Sequence, residues 1–303
     1  MRCFRAWLCG LAVLALAAGA PGAAETHPFS VHDMVAFDRI SEPQASPDGR
    51  RVVFTLSVLD REAGKRRSDL YLAGTDGSGL RRLTTHEAGD NSPRWSPDGR
   101  SIYFLSTRSG SSQVWRIGAD GGEAEPVTKL PLDVGGFLLS PDGSKLAVAL
   151  EVFPDCETLK CTTDRLDGIA ARKATGLIFD RLFIRHWDTW SDGRRSHVFV
   201  LPAAGGDAVD LMKGMDADSP SKPFGGMEEI AFTPDGRSVV FTARDAGREE
   251  AWSTNFDLYR VPADGSARPA NLTAANKAWD TQPVFSPDGK TLAYLAMARP
   301  GYE

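Results

Sequence analysis

Ser92-Pro93-Arg94-Trp95-Ser96-Pro97-Asp98-Gly99-Arg100-Ser101-Ile102-Tyr103-Phe104-Leu105-Ser106 decides how this chain is read. Ser92 to Ser96 reads as a short strand around Arg94-Trp95. Pro97-Asp98-Gly99 is a tight turn: proline presets φ at the first central position, aspartate bonds back to the backbone, and glycine takes the left-handed conformation. Ser101 to Ser106 is nearly continuous in apolar character, which fits a strand covered on both faces rather than one alternating between core and solvent. Gln113 to Ile117 reads as a third strand, Asp120-Gly121-Gly122 as its turn, and Pro126 to Leu130 as an outer fourth strand.

The same tetrapeptide stands at Ser46 to Gly49, Ser140 to Gly143 and Ser286 to Gly289, and Thr233 to Gly236 is a near copy. A strand-turn-strand unit recurring at a period near fifty residues marks a β-propeller of four-stranded blades. The first unit predicts strands at 43–46, 51–58, 69–73 and 81–84. A later one predicts strands at 229–233, 238–243, 257–262 and 270–273. Second halves of blades recur near Tyr71, Val114, Val198 and Tyr259, so five turn marks stand against four complete blades. The last unit, 282–286 and 291–296, is a half-blade. The fold expected is all-β: four complete blades plus a half-blade, as the N-terminal part of an incomplete seven- or eight-bladed ring.

Ser140 and Thr233 are nearly twice the usual distance apart. This places an insertion, 153–196, inside the third blade; a decayed turn at Ser191-Asp192-Gly193 is the competing account. Within it, 164–173 reads as a short helix, with Asp164 as its cap and Leu166, Ile169 and Ala170 on one side. Then comes Arg185-His186-Trp187-Asp188-Thr189-Trp190, in the part of the chain densest in aromatics. Long loops on a rigid scaffold carry recognition, so Arg185, His186, Trp187, Asp188 and Trp190 are the candidate substrate-binding residues. The tryptophans would line a pocket, and Asp188 or Arg185 would meet a ligand terminus. The plainer alternative has the aromatics fasten the insertion to its blade, with Arg185 and Asp188 as an ion pair.

At the start of the chain, Arg2 and Arg5 precede an apolar run from Leu8 to Ala18, and Gly22-Ala23-Ala24 resembles a cleavage site. Residues 1–24 therefore read as a secretory signal peptide, and the mature chain, 25–303, as periplasmic or secreted. Its loss takes the formal charge from −5 to −7, and no basic stripe suits nucleic acid. Cys156 and Cys161 remain. In an oxidising compartment they close a small disulfide loop or stay as thiols. Two cysteines with no neighbouring histidine make no metal site, and no cofactor is expected.

The blades, the lead-in from Phe29 to Ile40, the Arg-His-Trp-Asp-Thr-Trp segment with Gly193 and Ser196 to Val200 after it, and the closing run Met297 to Glu303 together resemble the prolyl oligopeptidase family of serine peptidases. The similarity is to its exported dipeptidyl and acylaminoacyl peptidases, and it covers essentially all of 25–303. It implies an α/β-hydrolase domain with a Ser-Asp-His triad, C-terminal to the propeller. It also implies release of dipeptides or acyl-amino acids from short peptides with alanine or a hydrophobic residue before the cleaved bond. No Gly-x-Ser-x-Gly occurs in the sequence, so no residue is assigned as catalytic, and the chain alone is expected to be inactive, with substrate gating as its part. Relatives that remove dipeptides hold the substrate's free amino group with acidic residues from the propeller side. Glu228-Glu229 and Glu249-Glu250 lack the aromatic context of the paired-glutamate motif of the proline-specific branch and read as solvated, which argues against proline specificity. The alternative function is a stand-alone periplasmic propeller that binds a protein or peptide.

Overall fold

The computed structural model describes residues 27–301; the expected signal peptide and the last two residues of the closing run lie outside them. Up to Phe37 the described chain forms one short helix, α1 (Val31–Ala36). The Ser30 hydroxyl accepts from the Asp33 N–H, and the Asp33 carboxylate accepts from the Ser30 N–H. This reciprocal cap satisfies donors that a helix this short could not otherwise cover.

From Asp38 onward the chain is a row of antiparallel sheets. The first holds β1 (Arg39–Ala45), β2 (Arg51–Asp60), β3 (Lys65–Gly74) and β4 (Arg81–Arg82) in that order. The second holds β5 (Asp90–Trp95), β6 (Ser101–Ser106), β7 (Gln113–Gly118) and β8 (Glu125–Pro126). In the third, β9 (Val134–Leu139) and β10 (Lys145–Val152) precede a helix, α2 (Leu159–Ala170), and a hairpin, β11 (Arg185–His186) with β12 (Thr189–Trp190). The chain then returns to the same sheet as β13 (Arg195–Pro202) and β14 (Val209–Asp210). The fourth holds β15 (Ile230–Phe232), β16 (Ser238–Ala243), β17 (Asp257–Pro262) and β18 (Ala270–Asn271). The last is the two-stranded β19 (Asp280–Phe285) with β20 (Leu292–Ala296). This is an all-β, propeller-like architecture of four-stranded blades.

Every copy of the repeated turn is wired alike. The Ser or Thr hydroxyl donates to the Asp at 2.5–2.6 Å in all five copies. The same hydroxyl accepts the N–H that opens the next strand at 2.9–3.0 Å. These bonds hold the five aspartates below the usual carboxylate range, led in each case by the hydroxyl. The glycine is needed twice over. At Gly143, φ is +70°, and a Cβ there would lie 3.0 Å from Pro97 of the preceding blade's turn; Gly99 meets Pro47, and Gly289 meets Pro234, in the same way. The turns thus stack from blade to blade.

The innermost strands carry a second repeated device. Glu42, Ser92 and Gln282 have φ of 50–55°. Each precedes a proline and sits where the register shifts. A proline cannot donate to the ladder, and a bulge takes it out of the pairing. A third device lies at the outer edge. The Leu70, Val114 and Leu258 N–H groups donate to the hydroxyls of Thr84, Thr128 and Thr273, at 2.9–3.0 Å. The side chain thereby ends the ladder, which is why the outer strands stop sooner than 81–84, 126–130 and 270–273. In the third blade Met212 takes the threonine's place, and its sulfur receives the Val198 N–H.

Consecutive blades pack face on face. Val53, Leu70 and Leu72 meet Ile102, Phe104 and Ile117. Tyr103, Leu105 and Val114 face Phe137, Val148 and Phe199. Ala147, Val198 and Val200 face Val239, Phe241 and Tyr259. Alternate residues of β6 therefore serve opposite cores, which is the physical reason for its unbroken apolar run. Burying a side chain such as Phe104 is worth about 1.5–3 kcal/mol in transfer free energy alone.

The insertion differs from expectation in three places. The helix begins at Leu159, capped by the Thr158 hydroxyl, which accepts the Cys161 N–H. Asp164 lies inside the helix and pairs with Lys160 one turn earlier at 2.6 Å. Arg195 and Ser196 already belong to β13, because Arg195 pairs with Val152 and Ser196 with Glu151 in the ladder to β10. Asp192 accepts the Arg194 N–H in a local turn just ahead of that strand. Cys156 and Cys161 are joined by a disulfide that ties the first turn of α2 to the end of β10. Arg165, further along α2, stacks over Phe153 and pairs with Asp155.

Candidate functional site

The hairpin β11–β12 closes through a two-residue loop, Trp187-Asp188, with Arg185 opposite Trp190 and His186 opposite Thr189. Two-residue hairpin loops want φ > 0 at the first loop position, where glycine or asparagine is the unstrained choice. Here Trp187 takes it, at φ 52°. Its ring is 77% exposed and meets Phe224 edge-on, with centroids 6.2 Å apart. A non-glycine residue in this conformation is strained, and such strain persists only where the surrounding structure holds it. His186 stacks on Phe183, and Trp190 stacks on Phe179. Arg185 lays its guanidinium over Trp190 at 5.6 Å, so the alternative Arg185–Asp188 ion pair gives way to a cation–π contact across the hairpin.

Below the hairpin lies a cavity of about 600 Å3. His186, Trp187, Asp188 and Trp190 line it; Arg185 does not. Its ring walls are completed by Phe183, Phe224 and Phe256. Four of the five candidate residues are therefore brought to one site, and the fifth braces it from outside.

The floor is a charge network. Arg195 Nε donates to Asp216 at 2.8 Å, Nη1 to Asp218 at 2.9 Å, and Nη2 to Glu250 at 2.6 Å. Burial works against the Arg195 charge, but the Glu250, Asp218 and Asp216 carboxylates outweigh it and hold the guanidinium above its ordinary range. Asp216 also pairs with Arg181, Asp218 with Lys222, and Glu250 with Arg244. Arg244 is sandwiched between Phe183 of the insertion and Phe256 of the fourth blade, at 5.7 and 4.7 Å. Lys222 bridges to Glu151, and Asp192 pairs with Arg194. Asp188 is left as the lining carboxylate with no cationic partner among the described residues; its one hydrogen bond is a 3.5 Å contact from Thr189. The site thus offers aromatic walls and, at its exposed rim, a carboxylate with no cationic partner among the described residues.

Both glutamate pairs are half-buried rather than solvated. Glu250 sits in the network above, and Glu229 is only 4% exposed. Burial raises the Glu229 carboxyl above its ordinary range, although it accepts the Ser221 N–H and hydroxyl at 2.7 and 2.8 Å. Glu228 and Glu249 face outward. Sequence reading missed Arg195, Asp218, Lys222, Phe224, Arg244 and Glu250 because they come from four separate stretches. The available signal was Asp216-Ala217-Asp218 followed by Pro220 and Pro223, an acidic and conformationally restricted loop next to a blade strand. Among the described residues no group of three or more His, Cys, Asp or Glu side chains could hold a metal, and no helix is long and apolar enough to cross a membrane.

Fold and repeats define a β-propeller domain. Residues 33–152 match the TolB beta propeller domain. Over 273 residues the chain is 33% identical to dipeptidyl-peptidase 5 of Porphyromonas gingivalis, covering 89% of this chain and 39% of that protein. Dipeptidyl-peptidase 5 of Arthroderma otae is 28% identical over 296 residues, covering 91% of this chain and 40% of the relative. Among solved structures, Pyrococcus horikoshii acylaminoacyl peptidase superposes with a TM-score of 0.62 at 15% identity, over 89% of this chain and 37% of that one; at that identity the likeness speaks to the fold. The chain is a propeller domain of the prolyl oligopeptidase family, of the acylaminoacyl and dipeptidyl peptidase type, and matches the N-terminal portion of longer relatives. It spans about two fifths of the length of the curated relatives it matches.

Proposed function

We propose that this chain is the non-catalytic, substrate-gating propeller portion of an exported serine peptidase. The enzyme would release dipeptides or acyl-amino acids from short peptides with alanine or a hydrophobic residue before the scissile bond. The observation that carries this reading is the cavity under the hairpin. Its ring walls suit apolar side chains, and Asp188 is a carboxylate free to meet a cationic peptide terminus. Desolvated cations need such a partner. The names of the relatives, dipeptidyl-peptidase 5 and acylaminoacyl peptidase, support the reaction class. The exported location rests on residues 1–24, and a disulfide is in keeping with an oxidising compartment. Catalysis would come from a hydrolase domain with its own triad.

The test is calorimetric titration of the chain with a free-amine tetrapeptide amide carrying alanine at its second position. Binding that weakens at least about tenfold in Trp187→Ala and Asp188→Asn, with no cleavage of dipeptidyl chromogenic substrates, is expected. Cleavage by this chain alone, or affinity unchanged in both variants, would overturn the proposal. A second reading, a propeller that binds a protein partner, is favoured by the TolB-type match and the exposed Trp187, Phe224 and Trp252.

A further inference from the structure

His197 is fully buried two residues beyond Arg195 on β13. Both of its ring nitrogens face acceptors. Nδ1 lies 3.0 Å from Asp210 Oδ2 on β14, and Nε2 lies 3.1 Å from the Met215 carbonyl oxygen. A neutral imidazole donates at one nitrogen only, and a carbonyl oxygen never donates. Asp210 Oδ1 already accepts the Met212 N–H at 2.8 Å, so the carboxylate acts as an acceptor on both oxygens. The two ring contacts are both hydrogen bonds only when the imidazole carries two protons, an assignment that follows from its partners.

The position recurs in every complete blade. Asp69, Gln113, His197 and Asp257 each stand two residues before an aromatic of the third strand, Tyr71, Trp115, Phe199 or Tyr259. Each holds the outer strand of its blade or the segment just after it. Asp69 accepts from Arg82 at 2.7 Å, and Asp257 accepts from Asn271 at 2.9 Å and from the Thr273 hydroxyl at 3.3 Å. Gln113 donates to the Leu130 and Leu132 carbonyls, both at 3.1 Å, and accepts the Leu130 N–H. Of the four side chains, only the imidazole needs an added proton to make its bonds.

What His197 holds is the loop that floors the cavity. Three successive residues of β13 grip that loop. Arg195 bonds Asp216 and Asp218; the Ser196 N–H donates to Asp218 at 2.8 Å while its carbonyl accepts the Ser219 N–H at 2.7 Å; His197 takes Met215. Arg195 and Asp218 line the cavity. Asp210 is the charged group in contact with the ring. On the other elements packed around it, Glu151 of β10 holds Lys222, Arg165 of α2 holds Asp155, Glu250 of the fourth blade holds Arg195 and Arg244, and Lys129, Asp133 and Lys213 are exposed.

We propose that His197 is a positioning residue of the cavity: a buried imidazolium that clamps Asp210 and Met215 together and thereby seats the loop carrying Asp216 and Asp218 against Arg195. This rests on the cavity being the peptide site proposed above, and it makes the floor of that site proton-dependent. The clamp is complete while the ring holds both protons. As pH rises and one is lost, one of the two acceptors is left facing a lone pair, and the loop loosens.

The test uses the 303-residue chain carrying isotope-labelled histidine. Ring-nitrogen NMR, with His197 assigned through the backbone of 196–198, should show the doubly protonated form at neutral pH. As pH is raised, exchange of the Met215 and Ser219 amides, both bonded within the protein, should quicken about ten- to hundredfold beyond its intrinsic pH dependence as the ring gives up its second proton. His197→Gln, whose amide keeps two donor hydrogens, should show no such step. A neutral ring at neutral pH overturns the proposal, even where His197→Gln fails to fold. So does a ring that loses its proton with no change at Met215 and Ser219. Calorimetric titration with the tetrapeptide amide over the same pH range separates the two readings. Binding that weakens more steeply with pH in the parent than in His197→Gln supports both; binding that follows one course in the two chains overturns the positioning role. An exchange step with no peptide binding at any pH retains the clamp and refutes the peptide site.

Discussion

Removing the Arg195 charge while keeping the length of its side chain, as Arg195→Met, tests whether the floor of the cavity is a coupled network. In the native protein this guanidinium satisfies Asp216, Asp218 and Glu250 at 2.6–2.9 Å. Without it, the nearly buried Asp218 keeps Lys222 at 3.1 Å and the nearly buried Glu250 keeps only Arg244 at 3.6 Å. Breaking a buried ion pair by deleting one partner costs about 3–5 kcal/mol. With Asp216 also keeping Arg181 at 2.7 Å, the three surviving cations place Arg195→Met at the low end, about 3 kcal/mol, a large share of the roughly 5–15 kcal/mol that holds a domain folded. Glu250→Gln should cost less, since Arg195 retains two carboxylates. The double variant should lose about 1–3 kcal/mol less than the sum of the singles, because contacting residues couple. Urea unfolding at neutral pH, followed by tryptophan fluorescence with a constant m-value, gives all three numbers. A loss below about 1 kcal/mol for Arg195→Met, or strict additivity in the double variant, would refute the network reading and leave Arg195 a surface brace.

Phe104→Ala opens a void between the first two blades and should cost about 3–5 kcal/mol in the same assay. Glu229, raised by burial, binds its proton more readily folded than unfolded. Stability from this group is therefore highest in acid and falls as pH rises from the ordinary glutamate value through the raised one; Glu229→Gln should flatten that limb of an unfolding-versus-pH curve. The five turn aspartates act with the opposite sign. Their stabilisation is present above the ordinary aspartate value and is lost as pH falls through their depressed ones, so Asp98→Asn should shrink the acid-induced drop in Tm. Reduction of Cys156–Cys161 frees only a small loop and should cost no more than about 2 kcal/mol, with the blade amides keeping their exchange protection.

Much of the blade framework is legible in the sequence because its determinants are local. The bounds 101–106, 238–243 and 257–262 coincide with β6, β16 and β17: β6 and β16 each follow a turn whose hydrogen bonds close within five residues, and β17 pairs with β16 along its whole length. The outer strands were less legible, since in three blades a threonine side chain two residues past the strand ends the ladder. The helix start was missed because Asp164 and Thr158 are both acceptable caps by type, and what places the cap at Thr158 is the disulfide-closed turn and the buried Thr162, whose hydroxyl accepts the Phe153 N–H. The aromatic density of 185–190 pointed to a segment most of which lines the cavity. Its partners come from β13, the loop after β14 and the fourth blade, and nothing in a linear pattern brings Arg195 to Glu250. The burial of Glu229 was equally invisible, because it depends on a loop folding back from Ser221.

The stacking of each turn's glycine on the proline of the blade before it has a consequence for how the protein comes apart. Gly99, Gly143 and Gly289 all repeat one contact with a neighbour, so each blade's persistence depends on occupancy beside it, as in a one-dimensional lattice. A blade whose neighbour opens loses this contact, so a break in one blade should raise amide exchange in the blade beside it as well as in its own strands.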